Sequence, residues 1–536
     1  MSAAARSSGL GFRQRMADLH TWVGLLLGWV LYAMFLTGTV AYFKDELSQW
    51  MRPELSRQVA VPEPALVAQR MADRFSERLP DATQWTMRLP DARTNSVYAF
   101  WRVPRGEASR RGFGEGNFDP ESGEELTSRA TLGGDFFYRF HFQFHYLPIA
   151  WGRWLAGLAA MFMLVAIISG VITHKKIFVD FFTFRWGKGQ RSWLDAHNAL
   201  AVFGLPFHLM ITYTGLITLM AMYMPWGERQ AFQTPAERQQ LTAQLSPFIP
   251  PGKPSGEAAP LASIEQMVRQ AQARWGQDRI GRVTVTLPGD AASRVAVARG
   301  EPGRVSMSPQ YLLFEGPTGK LLEVHDRVGG AAETRGVLYA LHLGRFSDAT
   351  TRWLYFLVSL AGTAMVGTGL VLWTVTRRPK LPDPQRPHVG FRLVERLNIA
   401  AIAGLSIAMT MFLWANRLLP GALAERADWE IHVFFIAWTL ALLHAVVRPP
   451  KRGWIEQLCL ASALLALLPV LNAATTARPF WRSLADGDWV FIGMDLMCLA
   501  LAVLHAALAV RVARHQPRAR AKAKGYRTAA EAAAQH

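Results

Sequence analysis

Eight apolar stretches, each about long enough to cross a hydrocarbon layer, alternate along the chain with polar segments of very unequal length. A helix needs roughly 20 consecutive apolar residues to span a bilayer. The pattern therefore predicts a polytopic α-helical membrane protein with about eight transmembrane helices. The predicted spans are residues 19–43, 151–174, 193–223 and 351–376, followed by four more in an appended bundle over residues 393–512.

Two of the polar segments, residues 44–150 and 224–350, are long enough to fold as modules. Each begins with a stretch of helical spacing and continues with short alternating stretches, which are typical of half-buried strands. We predict two small α+β modules, each inserted between two transmembrane helices.

The net charge of +18 is concentrated where the remaining polar segments meet the helices. Because cytoplasmic loops carry an excess of Lys and Arg, this distribution predicts that both termini are cytoplasmic and both modules lie outside. It also favours a lipid bilayer over nucleic acid as the partner of the positive charge. The basic segments are the N-terminal residues 1–18, the loop 175–192, the linker 377–392 and the tail 513–536.

The first and third predicted spans indicate an internal duplication. His20 precedes Thr37 by 17 residues, and His197 precedes Thr214 by the same number; a glycine follows each threonine. Two unrelated helices would seldom agree at all of these positions. We therefore predict a helix, module, helix unit that is used twice and followed by the appended bundle.

Each predicted module leads back into the membrane through a histidine, for which we select His145 and His342. An acidic residue also stands two positions before the first histidine of each unit. Asp18 and Asp195 cannot share a helical face with those histidines, and we expect them to cap the helix N-termini.

Histidines inside a bilayer are costly enough that each is a functional candidate. Neutral imidazole is a strong ligand of haem iron, and a helical bundle can hold a flat macrocycle between facing histidines. We predict two haem b groups. The candidate ligands are His20, His145, His174, His197, His208 and His342, with His444 and His505 as a further candidate site.

The duplication favours one set of ligand pairs, in which each histidine faces its counterpart in the other unit: His20 with His197, and His145 with His342. In the alternative, His208 joins the outer site and His174 faces a histidine of the inner site. His197 and His208 are eleven residues apart, which places them on one face of a continuous helix about 16 Å apart. A plainer interpretation, interfacial hydrogen bonding without ligation, also fits each of them.

The chain resembles the PepSY-associated transmembrane family of bacterial inner-membrane proteins over about residues 10–380. The external segments resemble PepSY domains. The resemblance implies a role in iron uptake, and some members are di-haem reductases of ferric siderophores. The matching motifs are Leu19-His20-Thr21-Trp22-Val23-Gly24, Leu36-Thr37-Gly38, His174-Lys175-Lys176, Asp180-Phe181-Phe182-Thr183-Phe184-Arg185, Arg191-Ser192-Trp193-Leu194-Asp195-Ala196-His197-Asn198 and Leu205-Pro206-Phe207-His208.

Together, the histidines and the resemblance lead us to expect an oxidoreductase of the bacterial inner membrane. It would pass electrons outward and reduce a ferric siderophore or another iron chelate in the periplasm, releasing Fe(II). No Gly-x-Gly-x-x-Gly motif follows a predicted strand, so we expect no nicotinamide domain and an electron donor that is a quinol, a flavin or another protein. Two other classes remain open: a transporter component for iron, siderophore or protons that lacks haem, and a regulatory membrane protein of PepSY type.

Overall fold

The computed structural model describes residues 11–55, 63–104, 112–174, 181–182, 185, 189–245 and 252–516. Most of the predicted basic loop 175–192 and nearly all of the predicted tail 513–536 lie outside these residues. The same is true of most of the predicted N-terminal segment 1–18.

A first unit runs from residue 12 to residue 173. It consists of membrane helices at both ends and a small module between them. Its helices are α1 (Phe12–Leu26), α2 (Gly28–Ala41), α3 (Lys44–Trp50), α4 (Pro64–Arg78), α5 (Asp135–Gln143) and α6 (Ile149–Thr173), and its strands are β1 (Gln84–Arg88), β2 (Val97–Arg102), β3 (Phe113–Phe118) and β4 (Glu125–Leu126).

A second unit, residues 190–377, repeats this order. Its helices are α7 (Gln190–Phe203), α8 (Leu205–Thr218), α9 (Met220–Tyr223), α10 (Trp226–Ala231), α11 (Pro235–Leu245), α12 (Ile264–Trp275), α13 (Gly330–Leu343) and α14 (Ala349–Arg377), and its strands are β5 (Ile280–Thr286), β6 (Arg294–Arg299), β7 (Tyr311–Glu315) and β8 (Leu321–His325).

The membrane helices confirm the polytopic helical architecture. Among the described residues, six helices are long and apolar enough to cross a membrane, or eight if each of two bent helix pairs counts as one span. The bent pairs are α1 with α2, at 66°, and α7 with α8, at 67°. They are the first helices of the two units.

Both breaks fall at the same distance from a histidine. Leu27 separates α1 from α2 seven residues after His20, and Gly204 separates α7 from α8 seven residues after His197. Helix α8 carries Pro206 in its first turn, where a proline is tolerated because that N–H would have no helical partner. The two units therefore agree in backbone as well as in sequence spacing.

The strands of both modules form one antiparallel sheet, with the order β4-β3-β2-β1-β5-β6-β7-β8. The modules meet where β1 pairs with β5, with Met87 opposite Val283 and Arg88 opposite Arg282. Helices α4 and α12 cover one face and share an apolar core with Met87 and Val283. Because side chains alternate along a strand, Arg88 and Arg282 lie on the other face, toward the membrane helices. The two modules predicted as separate are thus one structure.

The appended bundle follows the second unit. Its helices are α15 (Val389–Ile399), α16 (Leu405–Leu418), α17 (Arg426–Val447), α18 (Pro450–Thr475), α19 (Phe480–Asp486) and α20 (Trp489–Arg514), with a π-helical turn, Ala400–Gly404, between α15 and α16.

A buried polar network connects this bundle to the first unit near the sheet. Nη1 of Arg426 donates to Oε1 of Glu430 at 2.5 Å, and both side chains are almost wholly inaccessible to solvent. Thr131, which follows β4, donates to the second oxygen of Glu430 at 2.5 Å. The guanidinium of Arg417 lies 3.7 Å from the ring centre of Trp50. The ion pair lies within α17, and the contacts of Glu430 with Thr131 and of Arg417 with Trp50 connect the bundle to the first unit.

Candidate functional site

Two pairs of histidines face each other across the boundary between the units. The ring centres of His20 on α1 and His197 on α7 are 6.2 Å apart. The ring centres of His141 on α5 and His342 on α13 are also 6.2 Å apart. We call His141 and His342 the sheet-side pair, because α5 and α13 lead from the sheet into the membrane helices, and we call His20 and His197 the far-side pair.

All four rings are held by the same kind of hydrogen bond, from Nδ1 to a main-chain carbonyl of a neighbouring helix. When Nδ1 carries the proton, the lone pair of Nε2 is free to bind a metal, and the carbonyl fixes the orientation of the ring. The bonds run from His20 to Ala166 (2.9 Å), from His197 to Met365 (2.9 Å), from His141 to Met34 (2.6 Å) and from His342 to Ile211 (3.0 Å).

A glycine stands four residues after each of these carbonyls, one helical turn away, and leaves room for the ring. A Cβ added at Gly38 or Gly215 would lie 2.7 Å from Nδ1 of His141 or 2.9 Å from Cε1 of His342. The corresponding distance at Gly170 and Gly369, to Cε1 of the far-side histidines, is 3.1 Å. A serine or threonine precedes each glycine: Ser169, Thr368, Thr37 and Thr214.

Each unit orients its own two histidines. In the first unit His20 is held by α6 and His141 by α2; in the second unit His197 is held by α14 and His342 by α8. Each pair then forms because one unit faces the other. His20 and Gly38 therefore belong to different sites. His20 is part of the far-side pair, whereas Gly38 leaves room for His141 of the sheet-side pair.

The structure corrects one predicted pairing. His145, expected to face His342, lies beyond the end of α5, where Phe144 adopts a positive φ of 54° and turns the chain away. Its ring stacks on Phe435 of the appended bundle at 5.8 Å. His141, one helical turn earlier, faces His342 instead.

A sequence signal for His141 was present and was missed. Tyr138 stands three residues before His141, and Tyr339 stands three residues before His342. Aligning the units on these tyrosines selects His141 rather than His145.

The two candidates without a counterpart in the duplication lie outside both pairs. His174 ends α6, and its Nε2 accepts a hydrogen bond from Nδ2 of Asn198 at 2.7 Å. His208 is 1% exposed, and its Nδ1 has no hydrogen-bond partner among the described residues. Its Nε2 lies 3.4 Å from the carbonyl of Val358. Because the helix bends at Gly204, the continuous face expected for His197 and His208 does not form.

The further candidate site in the appended bundle has different contacts. Nε2 of His444 lies 2.8 Å from Oε2 of Glu456, and Nδ1 of His505 lies 2.8 Å from the carbonyl of Leu501, in its own helix. Within the described part of the chain, no ring contact joins these two histidines.

The expected N-caps are also corrected. Because α1 begins at Phe12 and α7 at Gln190, Asp18 and Asp195 lie inside helices. Asp195 is buried and accepts three hydrogen bonds from Arg185, one from its main chain and two from its guanidinium.

No cluster of three or more His, Cys, Asp or Glu side chains suited to a metal ion occurs among the described residues. The pairs therefore offer two protein ligands per ion. Such a site suits a metal whose remaining ligands come from another molecule.

Two cavities adjoin the sheet-side pair. One, of about 130 Å³, is lined by both of its histidines. The other, of about 2070 Å³, extends from the second face of the sheet down along the membrane helices. Lys44, Asp45, Arg93 and Arg345 line both cavities, so the sheet-side pair lies next to the space beneath the sheet.

The sequence between residues 17 and 375 matches the PepSY-associated transmembrane region, which is more than half of the chain. The chain belongs to this family. It is also similar to an uncharacterized protein of Pseudomonas aeruginosa, at 27% identity over 384 residues, covering 68% of this chain and 92% of that protein.

The PepSY-associated region contains every element of the two pairs: the four histidines, the four glycines that support them and the strands of the joint sheet. It ends inside α14. The appended bundle, residues 389–514, lies beyond the matched range.

Proposed function

We propose that each histidine pair holds one haem b and that the protein carries electrons across a bacterial inner membrane, from the far-side pair to the sheet-side pair. The acceptor is a ferric siderophore or another ferric chelate on the side of the sheet, and the product is Fe(II). The observation that carries the proposal is the repeated geometry of the two pairs.

The spacing of the rings fits this group. A metal bonded to two imidazoles at roughly 2 Å each, on opposite sides, separates the two ring centres by about 6 Å. Both pairs show 6.2 Å. The hydrogen bond from each Nδ1 leaves Nε2, on the other side of the ring, free to bind a metal and makes it more basic. Bound haem supplies a reversible Fe(III)/Fe(II) couple.

The two pairs lie at different depths. His197 contacts the carbonyl of Met365 on α14, and His208 contacts the carbonyl of Val358 on the same helix. These two residues are seven positions apart, which is roughly 10 Å along the helix. Three residues after His208, Ile211 accepts the hydrogen bond of His342. His208 therefore lies between the far-side and sheet-side levels, and the pairs are arranged in sequence across the membrane core.

The direction of transfer follows from charge. The basic residues of the N-terminal segment, the linker and the tail support a cytoplasmic location for both termini and a periplasmic location for the sheet. The far-side pair then receives electrons from a quinol, a flavin or another protein. The sheet-side pair, beside the large cavity, delivers them to the chelate.

The test uses the purified full-length protein. We expect a reduced-minus-oxidised spectrum of b type and two haems per chain. In sealed vesicles with a reductant on the far side, we expect Fe(II) to be captured by a ferrous chelator on the sheet side. Intact protein from a haem-replete host that shows no b-type spectrum would refute the proposal, and iron or proton flux in that material would support a transporter instead.

A further inference from the structure

The large cavity beneath the sheet is strongly basic. It lies between the face of the sheet opposite α4 and α12 and the ends of the membrane helices. Ten basic residues line it, against five acidic ones. A surplus of this size in a concave site concentrates anions.

The acidic side chains do not neutralise this surplus, because they are already engaged. Asp348 caps the start of α14, and the side chain of Asp91 accepts hydrogen bonds from its own loop. The remaining carboxylates are paired with four cations: Asp45 with Lys44 and Arg93, Glu46 with Arg93 and Arg352, and Glu301 with Arg345.

Two of the remaining arginines are placed against each other by the sheet itself. Arg88 and Arg282 are direct cross-strand partners where β1 meets β5. Neither forms an ion pair with a carboxylate in the described part of the chain. Like charges directly opposite each other in a sheet are destabilising. The positive charge of Arg88 also reaches Asp45: burial alone would raise the pKa of that carboxyl, but Lys44, Arg93 and Arg88 hold it well below its usual range.

Three more arginines line the cavity near the ends of β5 and β6. Arg279 donates to the carbonyl of Pro302, Arg299 to Gln310 and Arg304 to the carbonyl of Ser308, which hold the three groups in position. Of the three, Arg304 also lies 3.9 Å from a carboxylate oxygen of Glu333, which is outside the cavity lining. Burial lowers the pKa of Arg299, and the neighbouring charge of Arg279 lowers it further. Ordered, partly buried guanidinium groups repel one another, and a bound anion offsets this electrostatic repulsion.

We propose that this cavity is the substrate site and that it selects an anionic ferric chelate, in which carboxylate or catecholate groups pair with Arg88, Arg282 and the Arg279–Arg299–Arg304 group. The identity of the ligand as an iron chelate rests on the proposed function, whereas the selection for negative charge rests on the arginines alone.

The position of the cavity agrees with delivery of an electron to such a ligand. Arg335 and Tyr339 line it from α13, and the guanidinium of Arg335 lies 4.1 Å from the ring centre of Tyr339. His342 follows Tyr339 by three residues, roughly 4.5 Å along the helix. A chelate against these side chains is within one helical turn of the sheet-side pair.

The experiment measures equilibrium binding to the purified full-length protein, with gallium(III) complexes in place of iron so that no electron transfer is involved. Gallium(III) tris(catecholate) carries three negative charges, whereas gallium(III) tris(benzohydroxamate) is neutral and likewise presents three aromatic rings. We expect the trianion to bind roughly tenfold or more tightly than the neutral complex, and its affinity to fall with added salt.

The variant R88Q/R282Q removes two charges that repel each other but also their attraction to Asp45 and Glu301, so we expect it to fold and to melt close to the wild-type temperature. It should bind the trianion roughly tenfold more weakly and leave binding of the neutral complex unchanged. The matched control is Arg294→Gln, on β6 of the same sheet but outside the cavity lining, which should bind like the wild type.

Equal affinity for the two complexes, or an R88Q/R282Q variant that binds the trianion normally, would overturn the inference. Displacement of the trianion by phosphatidylglycerol but not by phosphatidylcholine would assign the arginines to lipid headgroups and would also overturn it. Protein without a b-type spectrum that still selects the trianion would refute the proposed function and leave the anion site standing.

Discussion

The far-side and sheet-side pairs share one construction but differ in what surrounds them. Both have ring centres 6.2 Å apart, yet the ring planes meet at 69° in the far-side pair and at 31° in the sheet-side pair. Next to the far-side pair, Asn198 follows His197 and binds His174. Next to the sheet-side pair lies the basic cavity. The common part therefore suits the proposed role of holding a cofactor, and under that proposal the different surroundings would distinguish the site of electron entry from the site of exit.

The largest expected effect comes from removing one ligand of either pair. His342→Ala and His197→Ala should each reduce the haem content from two per chain to one, because each pair has only two protein ligands. Both should abolish electron transfer across vesicles. Haem-to-protein ratios and vesicle reduction assays measure these outcomes.

The control for these variants is His145→Ala, because the ring of His145 packs against Phe435 of the appended bundle and not against His342. It should keep two haems. Loss of a haem in His145→Ala with retention in His141→Ala would show that the sheet-side pair is misassigned.

The supporting glycines should distinguish the two pairs more finely. A Cβ at Gly38 would lie 2.7 Å from His141, which forces the ring to move, whereas a Cβ at Gly170 would lie 3.1 Å from His20. We expect Gly38→Ala to weaken haem retention by roughly 10–100-fold, the range seen when groups that orient a ligand are lost, and Gly170→Ala to have a smaller effect.

Gly24→Ala provides the matched control, since a Cβ there meets no atom within 4 Å. Its helix should gain stability by up to about 1 kcal/mol. Equal haem retention in all three alanine variants, measured by transfer to apomyoglobin, would contradict a supporting role for these glycines.

These glycines show how far the sequence could lead. The 17-residue spacing of His20 and His197 from their Thr-Gly steps was visible, and it correctly indicated two similar units. The role of the glycine could not be predicted, because Gly38 leaves room for His141, from a different segment of the chain, and not for His20. That relation depends on packing between helices and leaves no local pattern.

The joint sheet shows the same limit. Each module has the alternation of strands, so strands were predicted in both. The pairing of β1 with β5 connects residues almost 200 positions apart in sequence, and alternation says nothing about which strand edge meets which. The opposition of Arg88 and Arg282, on which the proposed anion site depends, follows only from that register.

The two candidate histidines that lie outside both pairs, His174 and His208, give a third, smaller effect. His208→Ala and His174→Ala should each retain two haems, since both rings contact other groups than the paired histidines. His208→Ala is expected to lower thermal stability, because it leaves a buried space beside Phe35 and Gly362. A haem ratio near one in either variant would support the alternative ligand set predicted from the sequence.

The smallest effect concerns the threonine that precedes a supporting glycine in the second unit. Oγ1 of Thr214 lies 3.2 Å from Nδ1 of His342, and Oγ1 of Thr368 lies 3.5 Å from Nδ1 of His197. Valine has nearly the same shape and removes a hydrogen bond worth about 1 kcal/mol. We expect both variants to keep two haems. Thr214→Val should shift the midpoint potential of the haem held by the sheet-side pair, and Thr368→Val should shift that of the far-side haem by less. A larger shift in Thr368→Val would contradict this ranking by distance, and no shift in either variant would show that the main-chain carbonyls alone orient the rings.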